Sequence, residues 1–282
     1  MNPNDVERIE VDLVLDAIAR RYGYDFRNYA RASLRRRLQH RLNECGGGHL
    51  SDLIPRLLHD PDCFAALLGD LSITVTEMFR DPPFFRAVRE HVVPVLRTYP
   101  FVKIWHPGCA TGEEVYSMKI LLTEEGLGDR LLIYATDFNK GSLDKAREAI
   151  FPDERIELYA ANYAQAGGKA RLADYYTAGF GSVKLRRSLT ENITFAHHNL
   201  VADGVFGEMN MIVCRNVLIY FDRVLQDRVL NLFLDSLCHR GFLCLGARET
   251  LEFSSVRDRF QPVTGKERIY RTLPTAPMER SA

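Results

Sequence analysis

The sequence predicts an α/β fold, a parallel sheet wrapped by helices, with a small all-helical domain before it and a small subdomain inserted within it. The apolar run Val102 to His106 ends in the turn Gly108-Cys109-Ala110-Thr111-Gly112, after which Glu113 and Glu114 open a helical pattern. From Phe101 onward, strand-like apolar runs alternate with helical ones, the mark of βαβ units. The stretch before residue 72 shows only helical spacing. These shifts divide the chain into a helical domain over 5–71, a junction over 72–85 and an α/β domain over 86–275 that carries an insertion at 151–189.

Four helices are expected before the junction, over Val6 to Tyr22, Asn28 to Asn43, Leu50 to His59 and Pro61 to Leu71, with Gly46, Gly47 and Gly48 breaking the run. The second helical segment brings together Arg27, Arg31, Arg35, Arg36, Arg37 and Arg41 with no acidic residue among them. On a helical wheel Leu34, Leu38 and Leu42 form a stripe, with Arg31 and Arg35 on one side and Arg37 and Arg41 on the other. The arginine stems can simply cover the leucines, or the cluster can form a binding surface for an acidic partner. In the junction, SITVTEMFRDPPFF, the pair Pro82-Pro83 after Asp81 ends a loop and opens a helix over Phe84 to Leu96. Thr74, Thr76 and Arg80 therefore lie between two domains, a common place for a ligand pocket, unless Arg80 is spent in an ordinary salt bridge.

The α/β region reads as strand Phe101 to His106, helix Glu113 to Glu124, strand Leu131 to Ala135 and helix Gly141 to Ile150. A polar, tyrosine-rich insertion, Phe151 to Leu189, follows. The pattern resumes with strands Ile193 to His197 and Met211 to Cys214, helix Leu225 to His239 and strand Gly241 to Leu245. Phe260 to Val263 and Arg268 to Leu273 then close a hairpin around Thr264, Gly265 and Lys266.

Composition bounds the function. The 282 residues hold 37 basic and 37 acidic side chains, a balance that argues against a general nucleic-acid binder. No apolar run approaches the roughly 18 residues of a membrane span, and the acidic start MNPNDVERIEVD is unlike a signal peptide, so a cytoplasmic protein is expected. Nothing requires more than a monomer. The six cysteines include no CxxC pair and are expected to be reduced packing residues, with Cys109 lining the turn. There is no HExxH, and His197 and His198 would point to opposite faces of a strand, so no metal site is indicated.

The glycine turn reads as a cofactor site. Gly108 and Gly112 permit a tight turn and close approach of backbone to ligand, and Asp137 ends the next apolar run, LLIYATD, near the spacing that places a carboxylate on a ribose. Neither GxGxxG nor GxxxxGK[ST] is present, and Glu113 and Glu114 would repel a phosphate while tolerating a cation. S-adenosylmethionine, which has an adenosine, an ammonium and a sulfonium but no phosphate, fits; a glycine turn used only for packing is the plainer alternative. In MIVCRNVLIYFD the buried run ends in Arg215 and Asn216 at the carboxyl edge of the sheet, with Tyr220 and Asp222 beyond. AHHNL delivers Asn199 and Leu200 to the same edge, an amide for the adenine edge and an apolar wall for its face.

TEMFRD, GCATGEEVYS, ATDFN, HNL and CRNVLIYFD, in that order, closely resemble the chemotaxis receptor methyltransferase family, CheR, over almost the whole chain. The resemblance implies a class I (Rossmann-like) S-adenosylmethionine methyltransferase fold, for which a terminal antiparallel hairpin is the usual ending. It implies that Thr74, Thr76, Arg80, Gly108, Glu114, Asp137, Asn199, Leu200, Arg215 and Asn216 line the S-adenosylmethionine site, with Asp137 on the ribose hydroxyls. It also implies that Arg80 and Tyr220 take part in methyl transfer and that the arginine-rich helix, through Arg31, Arg35, Arg37 and Arg41, recognises the receptor. Thr74 departs from enteric members, which have an asparagine there.

The implied reaction is methylation of glutamate carboxylates on the cytoplasmic helical bundle of chemoreceptors, giving methyl esters. A glutamate is already ionised at neutral pH, so the absence of an obvious general base is no obstacle. Two alternatives remain at this stage: a methyltransferase acting on another acidic protein, and a non-catalytic S-adenosylmethionine-binding adapter. Enteric relatives grip a receptor C-terminal pentapeptide with a β-subdomain at the insertion. ADYYTAGFGSVKLRR can form such a hairpin, but the long connection AANYAQAGGKARLADYY leads to the expectation that this chain does not depend on the pentapeptide.

Overall fold

The computed structural model describes residues 3–71 and 76–274, so Thr74 lies outside the described residues. The chain opens with helices α1 (Pro3–Tyr22), α2 (Arg31–Cys45), α3 (Leu53–His59) and α4 (Pro61–Leu71). Leu34, Leu38 and Leu42 of α2 are buried against Leu15 and Ile18 of α1, Leu53 of α3 and Leu67 of α4, so the predicted leucine stripe is the seam of this domain. Where the sequence predicts helix from Asn28, α2 starts at Arg31. Asn28 instead lies in a turn and Tyr29 bridges to Phe221 of the α/β domain: Asn28 O accepts from Asp222 N at 2.8 Å, and Ala30 N donates to Tyr220 O at 2.8 Å. Those backbone groups find partners across a domain boundary that no local periodicity reveals.

The helix predicted over Phe84 to Leu96 forms as α5 (Pro82–Ala87), a π-helical turn (Val88–Val92) and α6 (Val93–Leu96). Pro94 explains the interruption. A proline ring clashes with the carbonyl four residues back and cannot donate, and a widened turn accommodates both defects.

The α/β domain runs β1 (Val102–Pro107), α7 (Glu113–Glu124), β2 (Leu131–Asp137) and α8 (Lys140–Glu148). The inserted segment contributes β3 (Ile150–Pro152), α9 (Ile156–Gln165), β4 (Tyr176–Gly179), β5 (Ser182–Leu185) and α10 (Arg187–Thr190). The chain then returns through β6 (Ile193–His197), β7 (Met209–Cys214), α11 (Arg223–Ser236), β8 (Leu237–Leu245), β9 (Phe260–Pro262) and β10 (Ile269–Thr272). The main sheet has the order β6-β2-β1-β7-β8-β10-β9, with β10 antiparallel to both of its neighbours. Helix α11 stops at Ser236, short of the predicted His239, because Leu237 already pairs with Met209 of β7.

One face of the sheet packs Ile104 and Ile133 against Val115, Met118 and Leu122 of α7, and the other packs Trp105 and Ile212 against Val229 and Phe233 of α11. Between β1 and β7 the chain order reverses, because it leaves β1 for β2 and β6 on one side and returns to β7 on the other. Loops after these two strands therefore diverge and leave a crevice at their carboxyl ends.

The insertion forms a three-stranded antiparallel sheet, β3-β5-β4. Ile150, placed at a helix end by the sequence, belongs to β3, since Ala149 at φ 54° ends α8. Phe151, Val183 and Leu185 of the subdomain join the main core. Tyr175 Oη donates to Glu124 Oε1 of α7 at 2.8 Å, so the subdomain is tied to the sheet-covering helix by polar as well as apolar contacts.

Candidate active site

An open cleft of about 1090 Å3, counted to include space open to solvent, lies at the carboxyl ends of β1 and β7 and under the helical domain. The junction contributes Thr76 and Arg80 to its lining, the glycine turn Gly108 with Glu114 behind it, and the end of β2 Asp137. The loop after β6 supplies Asn199 and Leu200, and the loop after β7 supplies Arg215, Asn216 and Tyr220. Every described cofactor or catalytic candidate from the sequence thus reaches one cavity.

The turn is built by backbone geometry. Gly108, Ala110 and Gly112 have φ of 67°, 48° and 92°, and a Cβ on Gly108 would sit 2.5 Å from Val217 Cγ2, so glycine is needed both for the torsion and for the approach to the β7 loop. Cys109 N donates to Thr136 O at 3.0 Å and Ala110 N to Asp137 Oδ2 at 2.9 Å, which fastens the turn to the end of β2. Asp137 Oδ1 accepts from Asn139 N at 2.8 Å. Burial pushes the Asp137 carboxyl above its ordinary range, and these backbone donors oppose the rise. Burial also pushes the Cys109 thiol far up, so it is protonated and inert, in keeping with a packing role.

Behind the turn, Glu114 Oε2 accepts from Arg215 Nη1 at 2.6 Å. The same buried guanidinium donates to Asp81 Oδ2 at 2.5 Å and to Arg80 O at 3.3 Å, and it stands 4.1 Å from the centre of the Phe84 ring. Arg215 therefore stitches the junction to the sheet. Burial raises the Glu114 carboxyl, but Arg215 and the neighbouring His106 outweigh it and leave it below the ordinary range. His106 Nδ1 is 3.6 Å from Glu114 Oε1, an ion-pair distance rather than a hydrogen bond, and neither ring nitrogen of His106 has a hydrogen-bond partner among the described residues.

The loop after β7 turns sharply at Asn216, φ 61°, and is held from beneath by Glu249. Glu249 Oε1 accepts from Val217 N at 2.9 Å and Leu218 N at 2.8 Å, and Oε2 from Asn216 N at 3.0 Å and Gly246 N at 2.6 Å. Sequence reasoning missed Glu249. Its one signal is an acidic residue just past the apolar run of β8, at the edge where the cleft forms. Also missed were His198, whose buried Nδ1 has no partner, and the aromatic walls Tyr29, Phe138 and Phe221.

The arginine helix sorts into two groups. Arg31 pairs with Asp12, Arg35 with Glu7 at 2.7 Å, and Arg41 with Asp70 at 2.5 Å, all on neighbouring helices. The Arg31 and Arg35 pairs are exposed and of little energetic weight, so those guanidinium groups can still exchange partners. Arg37 differs: it donates to Leu71 O and lies 5.6 Å from the centre of the Tyr220 ring, at the cleft. Burial raises the Tyr220 phenol, against the opposing charges of Arg37, Arg80 and Arg36.

The donor set fits S-adenosylmethionine. Glu77, Glu114 and Asp137 line the cleft with aromatic walls, and the turn's donors at Cys109 and Ala110 are engaged with β2, a lining that suits a cation better than a phosphate. Among the described residues, no group of His, Cys, Asp and Glu could hold a metal ion, and no helix is long and apolar enough to cross a membrane.

Residues 74–269 match the family described as CheR methyltransferase, SAM binding domain, and residues 9–72 match CheR methyltransferase, all-alpha domain. The chain belongs to the CheR methyltransferase family. It is 52% identical over 263 residues to the methyltransferase Cher3 of Pseudomonas putida, covering 93% of this chain and 96% of that one. It is 29% identical to the chemotaxis protein methyltransferase of Escherichia coli, covering 86% and 84% of the two chains, and 29% identical to chemotaxis protein methyltransferase 2 of Pseudomonas aeruginosa, covering 78% of each. Among solved structures it overlaps the N-methyltransferase NodS of Bradyrhizobium japonicum, with S-adenosylhomocysteine, at 12% identity and a TM-score of 0.34, over 61% of this chain and 63% of that one, too loosely to argue from. The fold is that of a class I methyltransferase, S-adenosylmethionine is the cofactor, and methyl transfer is the reaction.

Proposed function

We propose that the acceptor is a glutamate side chain on the cytoplasmic helical bundle of a chemoreceptor and that the product is its methyl ester, formed by a cytoplasmic monomer. The observation that carries this is the meeting at Tyr220 of Arg37, 5.6 Å from the centre of its ring, with Arg80 in the same cleft lining, which makes one side of a cleft otherwise lined by carboxylates attractive to an incoming anion. Relatives named as chemotaxis protein methyltransferases support the same acceptor.

Bound S-adenosylmethionine supplies an electrophilic methyl on its sulfonium. Glu114 would hold the amino group, Asp137 the ribose hydroxyls, and Asn199 with Leu200 the adenine, a reading supported by their common place in the lining of the cleft. Thr76 and Asn216 close the pocket, and Gly108 lets the backbone approach. Arg80 holds the acceptor carboxylate in line with the methyl, and the Tyr220 hydroxyl fixes its second oxygen. The acceptor carboxylate oxygen would take that methyl, its new O–C bond replacing the C–S bond, whose electron pair would stay on sulfur. No proton moves, so alignment at about 3 Å and exclusion of water are the whole of the catalytic work.

The test is transfer of radiolabelled methyl from S-adenosylmethionine to purified receptor cytoplasmic fragments. Label released as methanol by mild base supports the proposal. Base-stable label, or cofactor binding without transfer to any of a panel of receptors, overturns it.

A further inference from the structure

Helix α11 opens with Arg223 and Val224, and the negative charge that its N-terminus favours comes from the residue before them, Asp222. Asp222 caps the helix by accepting from Leu225 N at 2.9 Å, so the end is structurally complete and Arg223 adds nothing to it. The Arg223 guanidinium lies 4.9 Å from the centre of the Phe253 ring. Val224 is 73% exposed and Phe253 is 72% exposed, so an arginine stacked on an aromatic ring and a bare valine stand together in solvent.

This patch adjoins the mouth of the cleft. Tyr220 lines the cavity, and Arg223 follows three residues on, within about 11 Å of chain. The segment bearing Phe253 is clamped along α11, since Asp227 accepts from Ser254 Oγ at 2.8 Å and from Ser255 N at 2.7 Å. The start of α2 is joined to the same loop through the Ala30 N to Tyr220 O bond, and α2 carries the exposed Arg36. Exposed cationic groups thus stand on two of the elements joined to the Tyr220 loop.

From this arrangement, and resting on the acceptor proposed above, we infer that Arg223, Val224 and Phe253 form a docking surface for the acidic helix that carries the methylated glutamate. A helix is about 10–12 Å across, so one that lowers a glutamate side chain toward Tyr220 covers the mouth and its flanks together. Arg36 then meets carboxylates on one side and Arg223 on the other, while Phe253 and Val224 cover the helix's apolar side chains. Aromatic and arginine side chains are the types that dominate binding energy at such contacts.

The experiment measures methyl transfer to a receptor cytoplasmic fragment by Phe253→Ala, Arg223→Glu and Val224→Glu, with cofactor affinity measured in parallel. All three side chains are on the surface and outside the cofactor pocket, so the dissociation constant for S-adenosylmethionine should stay at the wild-type value. KM for the fragment should rise at least about fivefold in Phe253→Ala and more in Arg223→Glu, with kcat little changed and the Arg223 effect shrinking at high salt. Wild-type KM in all three variants overturns the inference. So does self-association of the wild type that Phe253→Ala abolishes with KM unchanged, which assigns the patch to a second copy of the chain. A wild type that methylates no receptor fragment removes the proposed acceptor itself, an outcome distinct from either.

Discussion

Glu249→Ala tests whether the loop that carries Asn216 and Tyr220 is held in place from below. The substitution strips the acceptor from four backbone N–H groups, of which those of Leu218 and Gly246 are buried. An unsatisfied buried donor costs about 1–3 kcal/mol, whereas the amides of Asn216 and Val217 can rehydrate at little cost. Relief from burying a carboxylate offsets part of the loss, which leaves about 2–4 kcal/mol of destabilisation. For a chain of this size that is a fall in melting temperature of roughly 4–16 °C. The left-handed Asn216 also loses what holds it there, and backbone strain of about 1–3 kcal/mol becomes free to relax. If about half of that relaxation moves the loop out of the cleft, the dissociation constant for S-adenosylmethionine rises about two- to tenfold. Differential scanning calorimetry and isothermal titration calorimetry read the two effects separately. Glu249→Gln, which keeps one acceptor oxygen, should fall between wild type and alanine in both. An alanine variant with the wild-type melting temperature and cofactor affinity would refute the positioning role.

Three further outcomes follow from the same site. Arg80→Ala should abolish methyl transfer while melting stays near wild type; a folded variant with unchanged turnover removes Arg80 from the mechanism. Gly108→Ala must hold a side chain at φ 67° with its Cβ 2.5 Å from Val217, and should lose about 1–2 kcal/mol of stability and weaken cofactor binding, both measurable by titration and melting. Glu114 has a folded pKa below its ordinary 4.5, so the stability it contributes with Arg215 is fully present above that value and is lost as pH falls through the lower folded value. Acid melts of wild type should steepen in that window and those of Glu114→Gln should not; parallel curves would show that the pair contributes no net stability.

Much of the scaffold was legible in the sequence because it is written in local periodicity. The spacing of Leu34, Leu38 and Leu42 exposes the seam of the helical domain, and the alternation after Phe101 exposes the parallel sheet. The glycine turn was legible for a different reason: torsions of 67° and 92° and a 2.5 Å approach leave few residue types possible. Local signals misplaced the start of α2, the end of α11 and the continuity of the helix over 82–96. In the first two cases the backbone preferred a distant partner over its own next helical turn, and in the third the cause, Pro94, was visible but its weight was not.

The arginine helix shows the limit most clearly. By composition its guanidinium groups are equivalent, and only the packing of α1 and α4 against α2 separates Arg31, Arg35 and Arg41, each paired with a carboxylate, from Arg37 at the cleft. Glu249 is the same lesson from the other direction. Beyond its place just past the apolar run of β8, nothing near it in sequence marks it, because the amides it holds are 31 to 33 residues upstream apart from that of Gly246.

By itself the sequence determined most of the strands and helices outside the insertion, pointed the glycine turn at a cationic cofactor without phosphates, and showed which motif residues could meet at the carboxyl edge of the sheet. Only the tertiary structure decided which charges neutralise one another, which stand near the cleft, and what holds the loop that carries Asn216 and Tyr220. The division has a physical cause. Periodicity and backbone torsion are properties of neighbouring residues, whereas charge pairing and the satisfaction of buried amides depend on groups brought together only when the chain has folded.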